Sequence, residues 1–310
     1  MRRTTAILAC AALALAAAAQ VVNSINQSNM KIPRGSKPAA TTAATSKAAS
    51  TVAVDTANAY YRSVDSAQVC IKASRWAEAE QHLRSAIKAD PANHNNSLLL
   101  SNIGTLQRYQ GKNEQAIKNY SLALDMTPNA VTIISNRAAA YMAIDSIGLS
   151  ERDYRRVVEL DPSNTEARYN LGIIDIQRGD YKAAEDEFMG ILKISPNSAL
   201  AQEGLGKLNE VNGNYTKAIE CYGKIIKARP SAQILANRAH CYLMTKQLNN
   251  AEDDIRNALQ IDGTDGYIYA LRAMLGKLRF SEDDVQRDTK LALQHGMTEQ
   301  EVKAMLGSLH

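Results

Sequence analysis

Acidic residues are missing from the first 54 positions, and Asp55 is the first of the 32 in the chain. The same 54 positions hold six basic residues, so the remaining body carries 30 basic against 32 acidic groups. The overall charge of +4 therefore describes the N-terminal segment, and a near-neutral body argues against nucleic acid as a partner. Cysteine is scarce too. Four in 310 residues, with no C-x-x-C pair, exclude a disulfide-dense scaffold and a thiolate zinc or redox site. The five histidines show no metal-ligand spacing and no H-E-x-x-H, so neither a metal nor another cofactor is expected.

What is present begins with Arg2 and Arg3, followed by an unbroken apolar run from Ala6 to Ala19. This pattern predicts a secretory signal peptide over residues 1–19, with cleavage after the small triplet ending at Ala19. Fourteen apolar residues fall short of a membrane span, so no stable span is expected in the mature chain. A lipoprotein anchored through Cys10 and an organellar transit peptide are the competing readings. Residues 20–54 consist of Ala, Ser, Thr, Asn, Lys and Pro and lack the bulk to form a core, which predicts a disordered linker.

The rest of the chain repeats. Pro128, Pro162, Pro196 and Pro230 are spaced by 34 residues. With position 1 set 31 residues before each proline, position 8 is small at Gly104, Ala138, Gly172 and Gly206, and position 20 is small at Ala79, Ala116, Ala184 and Ala218. Position 24 is bulky: Leu83, Tyr120, Tyr154, Phe188 and Tyr222. Gly111, Gly179 and Gly213 at position 15 supply a positive-φ helix stop, and the proline ends a second helix. Such a unit is a helical hairpin whose apolar faces are buried only by stacking on the next.

The pattern resembles the tetratricopeptide repeat, a helix-turn-helix module used mainly to hold other proteins. The resemblance implies an all-α fold, an α-solenoid of six repeats plus a degenerate seventh hairpin over residues 55–296. A capping helix is expected over 297–310, opened by Thr298 and Glu301 and covering the end with Val302, Met305, Leu306 and Leu309. In this family the first helix of each hairpin lines a concave groove. Its position 6 is Asn102, Asn136, Asn170, Gly204 and Asn237 in successive repeats, and an amide there offers a donor and an acceptor to the backbone of an extended peptide. Tyr169 and Lys207 are further groove candidates, beside Arg108, Glu203, Glu210 and His240. The carboxylate clamp of some relatives is not reproduced, because Ser101, Thr105, Glu166 and Asn170 occupy the places around Asn136 where its partners would stand.

No catalytic constellation is found. Gly204-Leu205-Gly206 lacks the preceding strand and following hydroxyl of a phosphate loop and reads as helix-contact glycine. The pairs Asp186-Glu187 and Asp253-Asp254 read as solvated faces of second helices. Cys221 and Cys241 are either buried thiols or a disulfide. The expectation is a non-enzymatic scaffold, secreted or periplasmic, binding a protein or peptide segment of unknown identity. A structural subunit of an envelope assembly and a regulatory subunit of a cell-wall or glycan enzyme are the alternatives.

Overall fold

A computed structural model describes residues 47–309, and side chains from Ala59 onward. The expected signal peptide and most of the linker lie outside the described residues. Fifteen helices and no strand occur among the described residues. They run α1 (Lys47–Lys72), α2 (Trp76–Ala89), α3 (Asn96–Tyr109), α4 (Asn113–Met126), α5 (Val131–Ala143), α6 (Ile147–Leu160), α7 (Thr165–Arg178) and α8 (Tyr181–Ile194). After these come α9 (Ala199–Val211), α10 (Tyr215–Ala228), α11 (Ala232–Met244), α12 (Leu248–Ile261), α13 (Gly266–Leu278), α14 (Glu282–Gln294) and α15 (Glu299–Gly307). Successive pairs form seven antiparallel hairpins, in keeping with an α-solenoid of tetratricopeptide-like repeats. The chain divides into two compact units, one ending at Ala167 and the other running from Arg168.

One expectation needs correction. α1 starts at Lys47, inside the stretch assigned to a linker. Low bulk argues against a core but not against a helix, and Ala48, Ala49, Ala53 and Ala57 have the highest helix propensity of any residue. Once the apolar face from Tyr60 to Ile71 is packed, extending the helix toward its N-terminus adds a hydrogen bond per residue without a new nucleation cost.

The hairpin contact follows the small-and-bulky pattern. A Cβ added to Gly104 would lie 2.7 Å from the Tyr120 ring, one on Gly172 2.5 Å from Phe188 and one on Gly206 2.5 Å from Tyr222. Position 8 is therefore the floor on which the position-24 ring of the same repeat lies. These rings are fully buried, and each contributes about 1.5–3 kcal/mol of apolar transfer. The turn is equally regular: position 15 has positive φ in all seven hairpins, at Ser74, Gly111, Asp145, Gly179, Gly213, Lys246 and Phe280. Four of the seven hold that geometry without glycine.

A second device was not visible as a motif. Position 7 on the first helix and position 23 on the second form a two-pronged ion pair in three hairpins. Arg137 reaches Asp153 at 2.7 and 3.0 Å, Arg238 reaches Asp254 at 2.7 and 2.7 Å, and Arg272 reaches Asp288 at 2.9 and 2.8 Å. Asp153, Asp254 and Asp288 are buried. The expected solvated face at Asp253-Asp254 is thus half right, since Asp253 is exposed beside Arg256 while Asp254 points inward. Glu187 likewise turns to Arg168, 2.9 Å away, while Asp186 stays exposed with Lys182.

At the C-terminus, Thr298 and Glu301 form the expected capping box, with Thr298 N donating to Glu301 Oε2 at 2.8 Å and Glu301 N to Thr298 Oγ1 at 3.3 Å. α15 then lays Val302, Met305 and Leu306 over the last hairpin. Cys70, Cys221 and Cys241 are buried free thiols. Burial pushes the Cys221 and Cys241 thiols up, so neither is a ready thiolate.

Candidate functional site

The first-helix faces carry the groove candidates, and each unit is described by itself. In the unit ending at Ala167, α3 places Asn102, Thr105 and Arg108 about one helical turn apart with Ser101 beside Asn102, and α5 places Ser135 and Asn136 at the positions matching Ser101 and Asn102. Asn102 is buried and Asn136 half-buried. Thr105 Oγ1 lies 3.0 Å from the Tyr120 hydroxyl, so the ring that fills the hairpin also anchors the polar face. Trp76 of α2, the one tryptophan in the sequence, stacks on Tyr109 of α3 with ring centroids 4.9 Å apart.

In the unit from Arg168, two sequence-nominated residues meet. Lys207 Nζ of α9 donates to the Tyr169 hydroxyl of α7 at 2.9 Å and sits 2.7 Å from Glu203 Oε1. The Tyr169 hydroxyl donates to the same Glu203 oxygen at 3.0 Å. The triangle links equivalent positions of adjacent repeats, since Tyr169 and Glu203 are 34 residues apart, and Glu203 to Lys207 is an (i, i+4) pair. Burial pushes the Tyr169 hydroxyl up to about 12, against the nearby Lys207 ammonium that pulls it down. For Lys207, desolvation is outweighed by Tyr169 and Glu203, and its ammonium is held well above the usual lysine range.

Beside this lies a second network. Glu210 of α9 accepts from the Tyr222 hydroxyl through Oε2 at 2.9 Å, and its Oε1 is 2.6 Å from His240 Nδ1 on α11. Tyr215 meets the His240 ring edge-on at 6.2 Å. Both carboxylate oxygens are therefore committed. His240 keeps 21% of its side chain exposed.

The amide series is uneven. Asn170 and Asn237 are buried, and Asn237 Oδ1 accepts from Gln233 Nε2 at 2.9 Å. Gly204 interrupts the series for a steric reason: a Cβ there would collide with the Phe188 ring of the preceding hairpin. The structure thus brings Tyr169 and Lys207 together in one cluster, while the four Asn stand at separate, equivalent helix positions. What residue-by-residue reading missed was the coupling of Glu203 to Lys207 and of Glu210 to His240. The (i, i+4) spacing signalled the first; the second joins residues 30 apart on different helices and left no local signature. No group of three His, Cys, Asp or Glu among the described residues is placed to hold a metal ion. No helix among the described residues is long and apolar enough to cross a membrane.

Comparison with known proteins agrees with this geometry. Family models described as TPR repeat and tetratricopeptide repeat match residues 104–145, 151–208 and 203–266. A tetratricopeptide repeat protein from Parabacteroides merdae ATCC 43184 superimposes with a TM-score of 0.70 at 27% identity, covering 81% of this chain and 98% of that one. PilF from Pseudomonas aeruginosa shares the fold at 14% identity and a TM-score of 0.56, over 71% of this chain and 99% of its own. The Hsp70-Hsp90 organizing protein 3 of Arabidopsis thaliana is 34% identical over 77 residues, which is 25% of this chain and only 14% of that protein. With small residues under the rings, a positive-φ turn at position 15 and family matches along most of the hairpin array, the chain belongs to the tetratricopeptide repeat proteins.

Proposed function

We propose that the chain is a non-enzymatic protein–protein interaction scaffold that holds an extended segment of a partner on its first-helix faces. The observation that supports this is the chemistry of those faces. Amides recur at position 6 on α3, α5, α7 and α11, flanked by hydroxyls in one unit and by the Tyr169, Glu203 and Lys207 cluster in the other. An amide pairs with a peptide backbone irrespective of side chain, and packed helices about 8–10 Å apart match roughly every third residue of an extended strand. At about 0.5–1.5 kcal/mol net per hydrogen bond, the two amides of each unit give weak, sequence-tolerant holding, and side-chain contacts add selectivity. The N-terminal sequence supports export to the periplasm or the exterior, with cleavage after Ala19 and the acid-free segment as a tether. The test is capture of the partner from an envelope fraction by the wild-type chain and by a variant with Asn102, Asn136, Asn170 and Asn237 changed to Ala. Equal capture by a variant with an unchanged helical spectrum rules out the amides.

A second reading, a structural subunit that assembles through its second helices, draws on a different observation. Leu122 and Met126 on α4, Met189 and Ile194 on α8 and Ile261 on α12 are exposed large apolar residues, all on second helices.

A further inference from the structure

Two second helices of the unit from Arg168 segregate their charge along their length. On α8 the acids Glu185, Asp186 and Glu187 lie in the N-terminal half, where Asp186 meets Lys182 and Glu187 meets Arg168. On α10 the single acid, Glu220, is again in the N-terminal half. No acidic residue occurs from Phe188 to Gln202 or from Cys221 to Ala251. The C-terminal ends of both helices are left to Lys193, Lys224, Lys227 and Arg229, all exposed and none in an ion pair among the described residues. Lys193 and Lys227 stand 34 residues apart, at the same position of adjacent repeats, so the cations form one edge rather than two sites. Two large apolar side chains lie along it: Met189, an (i, i+4) neighbour of Lys193, and Ile194, each 44% exposed. The edge ends at the next hairpin, where Asp262 and Asp265 follow Ile261. A lysine in the last turn complements the helix dipole, which accounts for Lys193 and Lys227. It accounts neither for Lys224 and Arg229 nor for apolar side chains left in water beside four like charges.

We infer that this edge docks on the surface of an anionic phospholipid bilayer, as a peripheral attachment that needs no spanning helix. Exposed cations with apolar side chains between them match the two layers such a surface presents, charged headgroups and the acyl boundary beneath. Three of the four cations are lysines, compact hydrated charges on flexible stems, which suit a diffuse negative field better than the fixed fork of a protein carboxylate. Residues 20–54, with four basic groups and no acid, carry the same charge preference. The inference is independent of the groove reading, because it uses second helices and leaves the first-helix face open to a partner.

The experiment is co-sedimentation of the mature chain, residues 20–310, with phosphatidylcholine vesicles that contain either no phosphatidylglycerol or about one-third of it. The wild type is expected to prefer the anionic vesicles by about tenfold or more, and to lose the preference near 1 M salt, where screening shortens to about 3 Å. Lys193→Gln with Lys227→Gln is expected to weaken binding to the anionic vesicles by about tenfold or more, each cation counting for about fivefold. Lys290→Gln with Lys303→Gln removes the same charge from exposed positions on α14 and α15, and is expected to weaken it by less than about twofold. A nitrobenzoxadiazole group on Ile194→Cys, selective because Cys70, Cys221 and Cys241 are buried, is expected to shift to the blue with anionic vesicles. Equal binding to both vesicles, equal losses from the two pairs of substitutions, or a label at position 194 that stays in water overturns the proposal. Binding to poly-glutamate without binding to vesicles assigns the edge to an acidic protein and overturns it as well. The groove reading stands under each of these outcomes.

Discussion

Removing Arg238 is expected to destabilise the chain far more than removing the charge of its partner. Asp254 has 5% of its side chain exposed and, among the described residues, Arg238 as its one ionic partner, through bonds of 2.7 and 2.7 Å. Arg238→Ala leaves a carboxylate among α11 and α12 with neither water nor a cation, a change of about 3–5 kcal/mol. Asp254→Asn leaves Arg238, 20% exposed, able to turn toward water, and costs about 1–3 kcal/mol. Replacing both by apolar groups, Arg238→Met with Asp254→Leu, comes within about 1 kcal/mol of the wild type. The equivalent Arg272→Ala is milder than Arg238→Ala because Arg287 lies 3.0 Å from Asp288 and remains to neutralise it. The assay is urea unfolding at 25 °C followed by far-UV circular dichroism, with midpoint and slope fitted together, since repeat arrays lose hairpins in steps when one is weakened. Equal costs for the two single variants, or an Arg238→Ala cost below about 1 kcal/mol, would refute the reasoning that desolvation of the lone carboxylate dominates.

Phe280→Gly is expected to stabilise the seventh hairpin. Phe280 is 96% exposed at φ 59°, so it contributes no burial while holding a left-handed backbone. Relief of about 1–2 kcal/mol of steric cost against roughly 0.5–1 kcal/mol of glycine entropy gives a net gain of about 0.5–1 kcal/mol, read as a higher urea midpoint. Gly179→Ala, at φ 78°, moves the midpoint the other way. Gly204→Asn, which would complete the amide series, is expected to cost about 1–3 kcal/mol because its side chain collides with Phe188, and unchanged stability would contradict the packing given for that break. N-terminal sequencing of the mature protein from its native host should begin at Gln20; an intact Met1 or a lipidated Cys10 contradicts the export reading.

The hairpin array was legible in the sequence because its determinants are local and periodic. A ring at position 24 over a glycine at position 8, or a glycine at position 15, depends on spacing within one repeat. The limits appear where those determinants are replaced. Asp145, Lys246 and Phe280 adopt the same left-handed turn as Gly111, because the packed helices on either side dictate the turn whatever residue stands there. Asp254 read as solvent-facing since a charge pair on a polar helix gives no hint that one member points inward. Only the partner sixteen residues earlier reveals it. The start of α1 was misplaced for a different reason, since composition reports on core-forming capacity and alanine forms helices without it. At the candidate site, position 6 could be named from the register alone. The pairing of Glu210 with His240 joins two helices and could not.

The claim that partners are held on the first helices is tested most directly by site-specific photocrosslinking in the native host. A benzophenone amino acid is placed in turn at Ser135 and Met244 on first helices, and at the exposed Leu122 and Met189 on second helices. Adducts to a protein partner that form from Ser135 or Met244 and not from Leu122 or Met189 are the predicted result. Adducts confined to Leu122 and Met189 would contradict it and establish the second-helix face as the interface.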